Sequence, residues 1–341
     1  MIKKSIKIKF QNGLSFNDFV KEVFEVNKLT DDFDFEESDE PDFIVFGPYG
    51  NNIPPVGNYT RIGYFCENMT PDLTTCEYAF GIPLEKEINN PNYKRIQWHG
   101  VNPELFIKKF TDNDIDRIVS EKTSFCNFLY SNKVPYREEF FRQLSKYKKV
   151  DAPGKSMNNM SGIDSLYQGN TWERKRQFLS KYKFTIAFEN YAYPGYQTEK
   201  LYDAMQVNSL PIYSGDINVS EIFNVKSFLN ANEYIKIKNN KVIQSLEKFS
   251  QQNFVDFRPQ EFRKPQNHLS RKLKAYGRIL KMYLNYNNLN FEPLIEKIIE
   301  IDNNQDLYIK YLKEPWLNNN EVLSNSYSKN TWSKIFNAGK S

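Results

Sequence analysis

Apolar and polar positions alternate along the first third of this chain in short blocks that switch period. Residues 5–10 (SIKIKF) read as a strand, 16–26 (FNDFVKEVFEV) as an amphipathic helix, and 42–47 (DFIVFG) and 59–68 (YTRIGYFCEN) as further strands. Residues 31–40 (DDFDFEESDE) read as an acidic loop. Beyond Trp98-His99-Gly100, residues 102–110 (NPELFIKKF) take helical spacing, and 111–117 (TDNDIDR) lead to a strand at 124–130 (SFCNFLY). A domain boundary belongs there, after residue 118. Residues 137–147 (REEFFRQLSKY) are a helix with Phe140, Phe141 and Leu144 inward. Past residue 228 helical patterns dominate, at 233–239, 242–249, 268–284 and 291–301. Strands and helices alternating in two halves predict an α/β protein of two Rossmann-like domains facing a cleft. The first domain spans 1–118 and the second 119–312, with a C-terminal tail at 313–341.

The most informative block is residues 183–228, KFTIAFENYAYPGYQTEKLYDAMQVNSLPIYSGDINVSEIFNVKSF. It reads as a buried strand, a polar loop, a helix and a second apolar strand. The first strand delivers Glu189 and Asn190 at its carboxyl end, where open parallel sheets place their ligands. Thr198 stands where an N-cap belongs, so Glu199 and Lys200 fall in the first helical turn, with Leu201, Ala204 and Met205 on the buried face. Backbone N–H groups at a helix start attract phosphate, and Lys200 adds a positive charge. The block has the makings of a nucleotide-diphosphate site. An acid such as Glu199 is also favourable in a first turn with no ligand at all.

In order and spacing, FEN at 188–190, Tyr196, TEK at 198–200, PIYSG at 211–215 and KSF at 226–228 resemble the donor-binding signature of the α-1,3/1,4-fucosyltransferases, above all the bacterial ones. The resemblance continues through DFIVFGPYG at 42–50, Cys66-Glu67-Asn68, CEYAFGI at 76–82, SFCNFLYSNKVPYR at 124–137 and VDAPGKSMNN at 150–159. The chain after about Asn285 resembles nothing in that family. The resemblance implies the GT-B glycosyltransferase architecture, with acceptor site in the first domain and donor site in the second. It implies GDP-β-L-fucose as donor and an N-acetyllactosamine-type or lactose-type oligosaccharide as acceptor. α-1,3 linkage is favoured, with α-1,4 open.

An α-linked product from a β-linked donor inverts the anomeric centre, which calls for one base and one stabiliser of the leaving group. The resemblance places Glu67 as the base. It places Arg137 and Lys200 against the diphosphate, one as a bidentate fork and one as a point charge. Glu199 would accept hydrogen bonds from ribose hydroxyls, and Asn190, Tyr196 and Thr198 would complete the donor pocket. Gly154 and Lys155 form a candidate second phosphate-facing turn. With cations in place no metal is required. The D-x-D patterns Asp32-Phe33-Asp34 and Asp112-Asn113-Asp114 follow no apolar strand and read as turns or caps. A transferase for another nucleotide sugar, and a catalytically silent glycan-binding protein, are the competing readings.

Composition narrows the rest. Forty-six basic against 42 acidic residues give +4, a mixed surface that does not suggest nucleic acid as a partner. Aromatics at 16% suit sugar stacking, and equally a chain rich in Asn and Lys. Three cysteines without CxxC spacing argue against a disulfide framework or a zinc site. No apolar N-terminal run is present, so a cytoplasmic location is expected. The two histidines, His99 and His268, lie far apart and receive no catalytic role. Leu269, Leu273, Tyr276, Leu280 and Tyr283 form one helical stripe amid Arg271, Lys272, Lys274, Arg278 and Lys281. Such a helix can lie on an anionic membrane, and the favoured expectation is that the stripe faces the core. No heptads point to an oligomer, whose state stays open.

Overall fold

The computed structural model describes residues 3–67, 69–190, 192–235, 241–242, 245, 258–286, 289–324 and 327–338. The chain divides into two α/β units. One comprises Met1–Asn102, Asn240–Ile279 and Leu323–Ser341, the other Pro103–Asn239 and Leu280–Val322. The division falls at Pro103, not after residue 118. The cause is the helix Asp112–Glu121, which buries Ile115 and Ile118 in the second unit's core. Nor is 313–341 a separate tail, since its last part returns to the first unit.

The first unit holds six strands: β1 (Lys4–Gln11), β2 (Phe33–Glu37), β3 (Phe43–Phe46), β4 (Thr60–Phe65), β5 (Tyr78–Gly81) and β6 (Tyr93–Arg95). They pair in the order β2-β1-β3-β4-β5-β6, every pair parallel. β3 is buried along its whole length, as a strand covered on both faces must be. The expected acidic loop is in fact β2. Phe33 and Phe35 alternate with Asp34 and Glu36, and the outward charges suit an edge strand. Residues 16–26 are helical, but only Phe16–Phe19 is an α-turn before a π-helix at Val20–Glu25. The helix Lys329–Ala338 closes this core. Its Trp332 is fully buried and stacks on Phe80 at 4.1 Å, while Phe336 meets Phe43 edge-on at 5.1 Å.

The second unit holds β7 (Ser124–Asn127), β8 (Val150–Asp151), β9 (Tyr182–Phe188), β10 (Leu210–Ser214) and β11 (Leu229–Asn230). Their order is β11-β10-β9-β7-β8, again all parallel, with β9 in the middle. The helix Pro135–Leu144 buries Phe140, Phe141 and Leu144 as the pattern requires. The helix Glu292–Asn303 adds Leu294, Ile298 and Ile301 to the same core. Residues 102–110 form only a 3-10 turn, Pro103–Phe106. Most of the helix expected at 242–249, and residues 236–239 of the preceding one, lie outside the described residues.

The helix Pro265–Tyr286 forms as expected, yet its stripe does not face a core. Leu269, Leu273 and Tyr276 are 64%, 65% and 69% exposed. Periodicity fixes which side of a helix is apolar, not what medium covers it. The side chains of Arg278, Lys281 and Tyr283 lie outside the described residues.

One lysine ties the second unit's two chain segments together. Lys108 is buried, and its Nζ donates to the carbonyls of Leu312 (2.7 Å) and Glu314 (2.6 Å) at the end of the helix Gln305–Lys313. The ammonium also sits 3.4 Å from the centre of the Trp316 ring. Burial lowers its pKa to about 7, against the opposing charge of Glu314. The unfolded chain would protonate near 10.5, so below that value it binds the proton the folded chain gives up. Stability should therefore rise between pH 7 and about 10. Lys108→Met should flatten that rise, as urea unfolding at a series of pH values would measure.

Candidate active site

β9 ends at Phe188, and Glu189 and Asn190 leave the sheet at its carboxyl edge. Glu189 has no solvent exposure, so its carboxylate must find partners within the protein. It accepts from the backbone N–H of Thr198 (3.0 Å) and from the Thr198 hydroxyl (2.8 Å), and it pairs with Lys200 Nζ at 3.1 Å. Gly215 makes room, since a Cβ there would lie 2.6 Å from Glu189 Cγ. Burial pushes the Glu189 carboxyl up, with Lys200 pulling the other way.

The helix Glu199–Gln206 starts where the sequence placed it, with Thr198 as N-cap. Lys200 Nζ also reaches Thr198 Oγ1 (3.0 Å) and Glu199 Oε1 (3.3 Å). Burial works against its charge, yet Glu189 and Glu199 outweigh that and hold it above the ordinary lysine range. Burial would likewise raise Glu199, but Lys200 and Lys175 hold that carboxyl below its ordinary value. Lys175 is itself anchored by Asp203 at 2.6 Å. Lys200 is thus a cation already engaged by two carboxylates.

Arg137 is wholly buried at the start of the helix Pro135–Leu144, where sequence alone would leave it exposed. Its Nη1 donates to the Phe188 carbonyl (3.2 Å) and to Asn190 Oδ1 (3.1 Å), and its Nη2 to the Asn132 carbonyl (2.6 Å). The guanidinium lies over the Tyr130 ring at 3.5 Å, and its Nε has no partner among the described residues. The neighbouring Tyr136 hydroxyl donates to the Glu189 carbonyl at 2.6 Å. Tyr130 feels the charge of both Arg137 and Lys200, which places the two cations around one phenol.

Gly154 packs on the backbone of the same Tyr130, where a Cβ would come within 2.3 Å of its carbonyl oxygen. Only glycine allows that approach. The turn brings Lys155, exposed to solvent, alongside the Arg137 cluster. Tyr196 is half-buried in the loop before the helix, close enough to Lys200 to affect its charge.

Two residues at this end of the sheet are not legible from sequence as site residues. Glu189 is visible there only as a strand-end acid. Asp216, fully buried, accepts from Gly195 N–H (2.8 Å) and Gln197 Nε2 (2.6 Å) and so pins the loop that carries Tyr196. The signal for both is an acid at a strand end: one directly after a fully apolar strand, the other directly after a glycine that ends one.

In the first unit Glu67 follows β4, and Tyr49 follows its parallel neighbour β3. The Tyr49 phenol donates to Glu67 Oε1 at 2.5 Å. Glu67 is partly exposed, and Asn68 lies outside the described residues. Burial pushes the adjacent Cys66 thiol up to about 11, with the Glu67 charge adding to it. His99 bonds Tyr64 at 3.1 Å and faces Glu22 at 3.7 Å, while Trp98 beside it is buried.

The D-x-D carboxylates are engaged elsewhere. Asp32 pairs with Lys329 (2.8 Å) and Asp34 with Lys3 (3.8 Å). Asp112 pairs with Lys313 (2.7 Å), and Asp114 closes a capping box with Thr111. Among the described residues no group of three or more His, Cys, Asp or Glu is placed to hold a metal ion.

Residues 119–272 match the family model for the C-terminal part of glycosyltransferase family 10 (fucosyltransferase), and residues 8–99 match the N-terminal domain of α-(1,3)-fucosyltransferase FucT. An α-(1,3)-fucosyltransferase FucT of Helicobacter pylori is 29% identical over 224 residues, which cover 56% of this chain and 45% of that protein. An α-(1,4)-fucosyltransferase of Arabidopsis thaliana is 29% identical over 145 residues, covering 39% and 34%. The matched region is thus less than half the length of either relative. A crystal structure of an α1,3-fucosyltransferase with GDP-fucose is similar at a TM-score of 0.63 and 19% identity, covering 100% of this chain and 93% of that one. At that identity the likeness speaks for the fold, and the two Rossmann-like units are those of the GT-B architecture. With one family match in each half of the chain, the protein belongs to glycosyltransferase family 10, the fucosyltransferases.

Proposed function

We propose that the chain transfers L-fucose from GDP-β-L-fucose, with inversion, to a hydroxyl of an N-acetyllactosamine-type or lactose-type glycan, forming an α-1,3 linkage. The observation that carries this reading is the cluster at the carboxyl end of β9. There Glu189 orients Thr198 and Lys200, while Arg137 is locked onto Phe188 and Asn190. A solved relative holds GDP-fucose. In our reading Glu67 takes the proton of the acceptor hydroxyl as that oxygen attacks the anomeric carbon. GDP leaves from the opposite face, and Arg137 and Lys200 meet the charge that builds on its β-phosphate. Glu199 accepts from the ribose hydroxyls of the nucleotide, Asn190, Tyr196 and Thr198 shape the pocket, and the Gly154–Lys155 turn faces the diphosphate. No step calls on a metal.

We also propose that the helix Pro265–Tyr286 rests on an anionic bilayer surface. Its leucine stripe is exposed, and its 22 residues include five basic and no acidic side chains. No helix among the described residues is long and apolar enough to cross a membrane. The protein should sediment with phosphatidylglycerol vesicles and not with phosphatidylcholine ones. Leu273→Glu should abolish sedimentation, and equal binding to both vesicle types would count against this surface.

Three measurements test the chemistry. Arg137→Ala and Lys200→Ala should each weaken GDP binding by about 1.5–3 kcal/mol, or roughly 10- to 150-fold by calorimetry. Since Lys200 also neutralises a buried carboxylate, its variant must first be shown folded by its unfolding curve. Turnover should persist in excess EDTA; loss restored by manganese would overturn the metal-free step. Glu67→Gln should lower kcat by on the order of 100-fold with GDP affinity unchanged, the pattern of a group acting only in the transition state.

A further inference from the structure

A base on a strand-end loop, as Glu67 is, works only if its carboxylate is held still. Here a single side chain does the holding. Tyr49 Oη donates to Glu67 Oε1 at 2.5 Å, and Oε2 has no protein partner among the described residues.

Tyr49 is itself seated with care. Gly13, at φ +85°, lies against its ring so closely that a Cβ there would fall 2.8 Å from Tyr49 Cβ. The Tyr49 N–H donates to the Asn12 carbonyl at 3.3 Å. Asn12 then clasps Asn52 in both directions, Nδ2 to the carbonyl and Oδ1 from the N–H, each at 3.1 Å. The turn after β1 thus cradles the loop after β3, and the phenol is aimed at the end of β4.

Taking Glu67 as the acceptor-side base, on which this role depends, we propose that Tyr49 is a positioning residue for proton transfer. Its phenol fixes Glu67 through Oε1 and leaves Oε2 to receive the acceptor proton. The acceptor O–H proton moves to Oε2, the oxygen's electron pair forms the bond to the anomeric carbon, and GDP departs with the pair of the bond that breaks. Tyr49 keeps its own proton throughout. Burial, the Cys66 charge and Glu67 itself all raise the phenol's pKa, so it remains a donor. The other titratable groups around the pair are Cys66 and, facing Cys66, Tyr64 and Glu22, with His99 against those two.

Tyr49→Phe keeps the ring in its seat and removes the hydroxyl, and with it the bonds to Glu67 and to Cys66. It should lower kcat roughly tenfold with GDP affinity unchanged. In the Glu67→Gln background Tyr49→Phe should cost nothing further. Gly13→Ala, which presses on the ring while leaving the Tyr49 and Glu67 side chains chemically unchanged, should also lower kcat. If Glu67→Gln slows turnover but Tyr49→Phe leaves kcat as in the parent, the positioning role is wrong and the base assignment survives. If the two losses multiply in the double variant, Tyr49 acts elsewhere and the positioning role is equally overturned. Normal kcat in Glu67→Gln would instead remove the base assignment itself.

Discussion

The cluster at the carboxyl end of β9 is organised by a carboxylate that water cannot reach. Placing Glu189 at the end of β9 with no exposure carries a desolvation penalty of several kcal/mol, which only well-placed partners can offset. Those partners are the N-cap of the following helix and the first lysine inside it. The same residue's carbonyl takes the Tyr136 hydroxyl, and the carbonyl just before it takes Arg137. Residues 188–190 therefore hold a helix start through Glu189 and a buried guanidinium through Phe188 and Asn190. Gly215 follows from the same crowding, because any Cβ would press on the Tyr213 hydroxyl and the Glu189 Cγ.

This arrangement changes what Lys200 can offer an incoming phosphate. An anion at a helix N-terminus is ordinarily a ligand, and here a side chain already fills that role. The ammonium has three N–H donors, and Thr198, Glu189 and Glu199 each lie within 3.3 Å of it. A phosphate would have to displace one of them. Glu199 is the weakest held, at 3.3 Å with 39% of its side chain exposed, whereas Glu189 is fully buried and also held by Thr198. On our reading, donor binding exchanges the Lys200–Glu199 contact for phosphate and frees Glu199 to accept from ribose hydroxyls.

The sequence made the local features legible and the long-range ones only in part. Thr198 as an N-cap could be read because capping depends on residues two and three positions away. The apolar runs of β3 and β9 announced buried parallel strands. Arg137 could not be read as buried, because the ring that covers it lies seven residues back and its carbonyl acceptor 51 residues on. The strand Phe33–Glu37 was hidden by its charges, although its phenylalanines kept the period of two. Trp332 and Phe336 return to the first unit from the far end of the chain, a pairing that no local pattern encodes. Tyr49 sat inside a segment already singled out, yet its bond to Glu67 spans 18 residues and two strands.

The two strand-end clusters, one in each unit, differ in construction, and on our reading the difference follows from what each must do. Leaving-group charge is best met by cations whose positions were set during folding, so that nothing reorganises as the bond breaks. Burial of Arg137 and Lys200 among fixed acceptors supplies that rigidity. A base needs the reverse: a carboxylate with one oxygen open to the substrate, solvated enough to stay charged, and restrained enough to stay aimed. Glu189 fails the first of these conditions and Glu67 meets it, although both follow the end of a parallel strand. What separates the two glutamates is therefore the partner each is given, an ammonium and a helix start for one, a neutral phenol for the other.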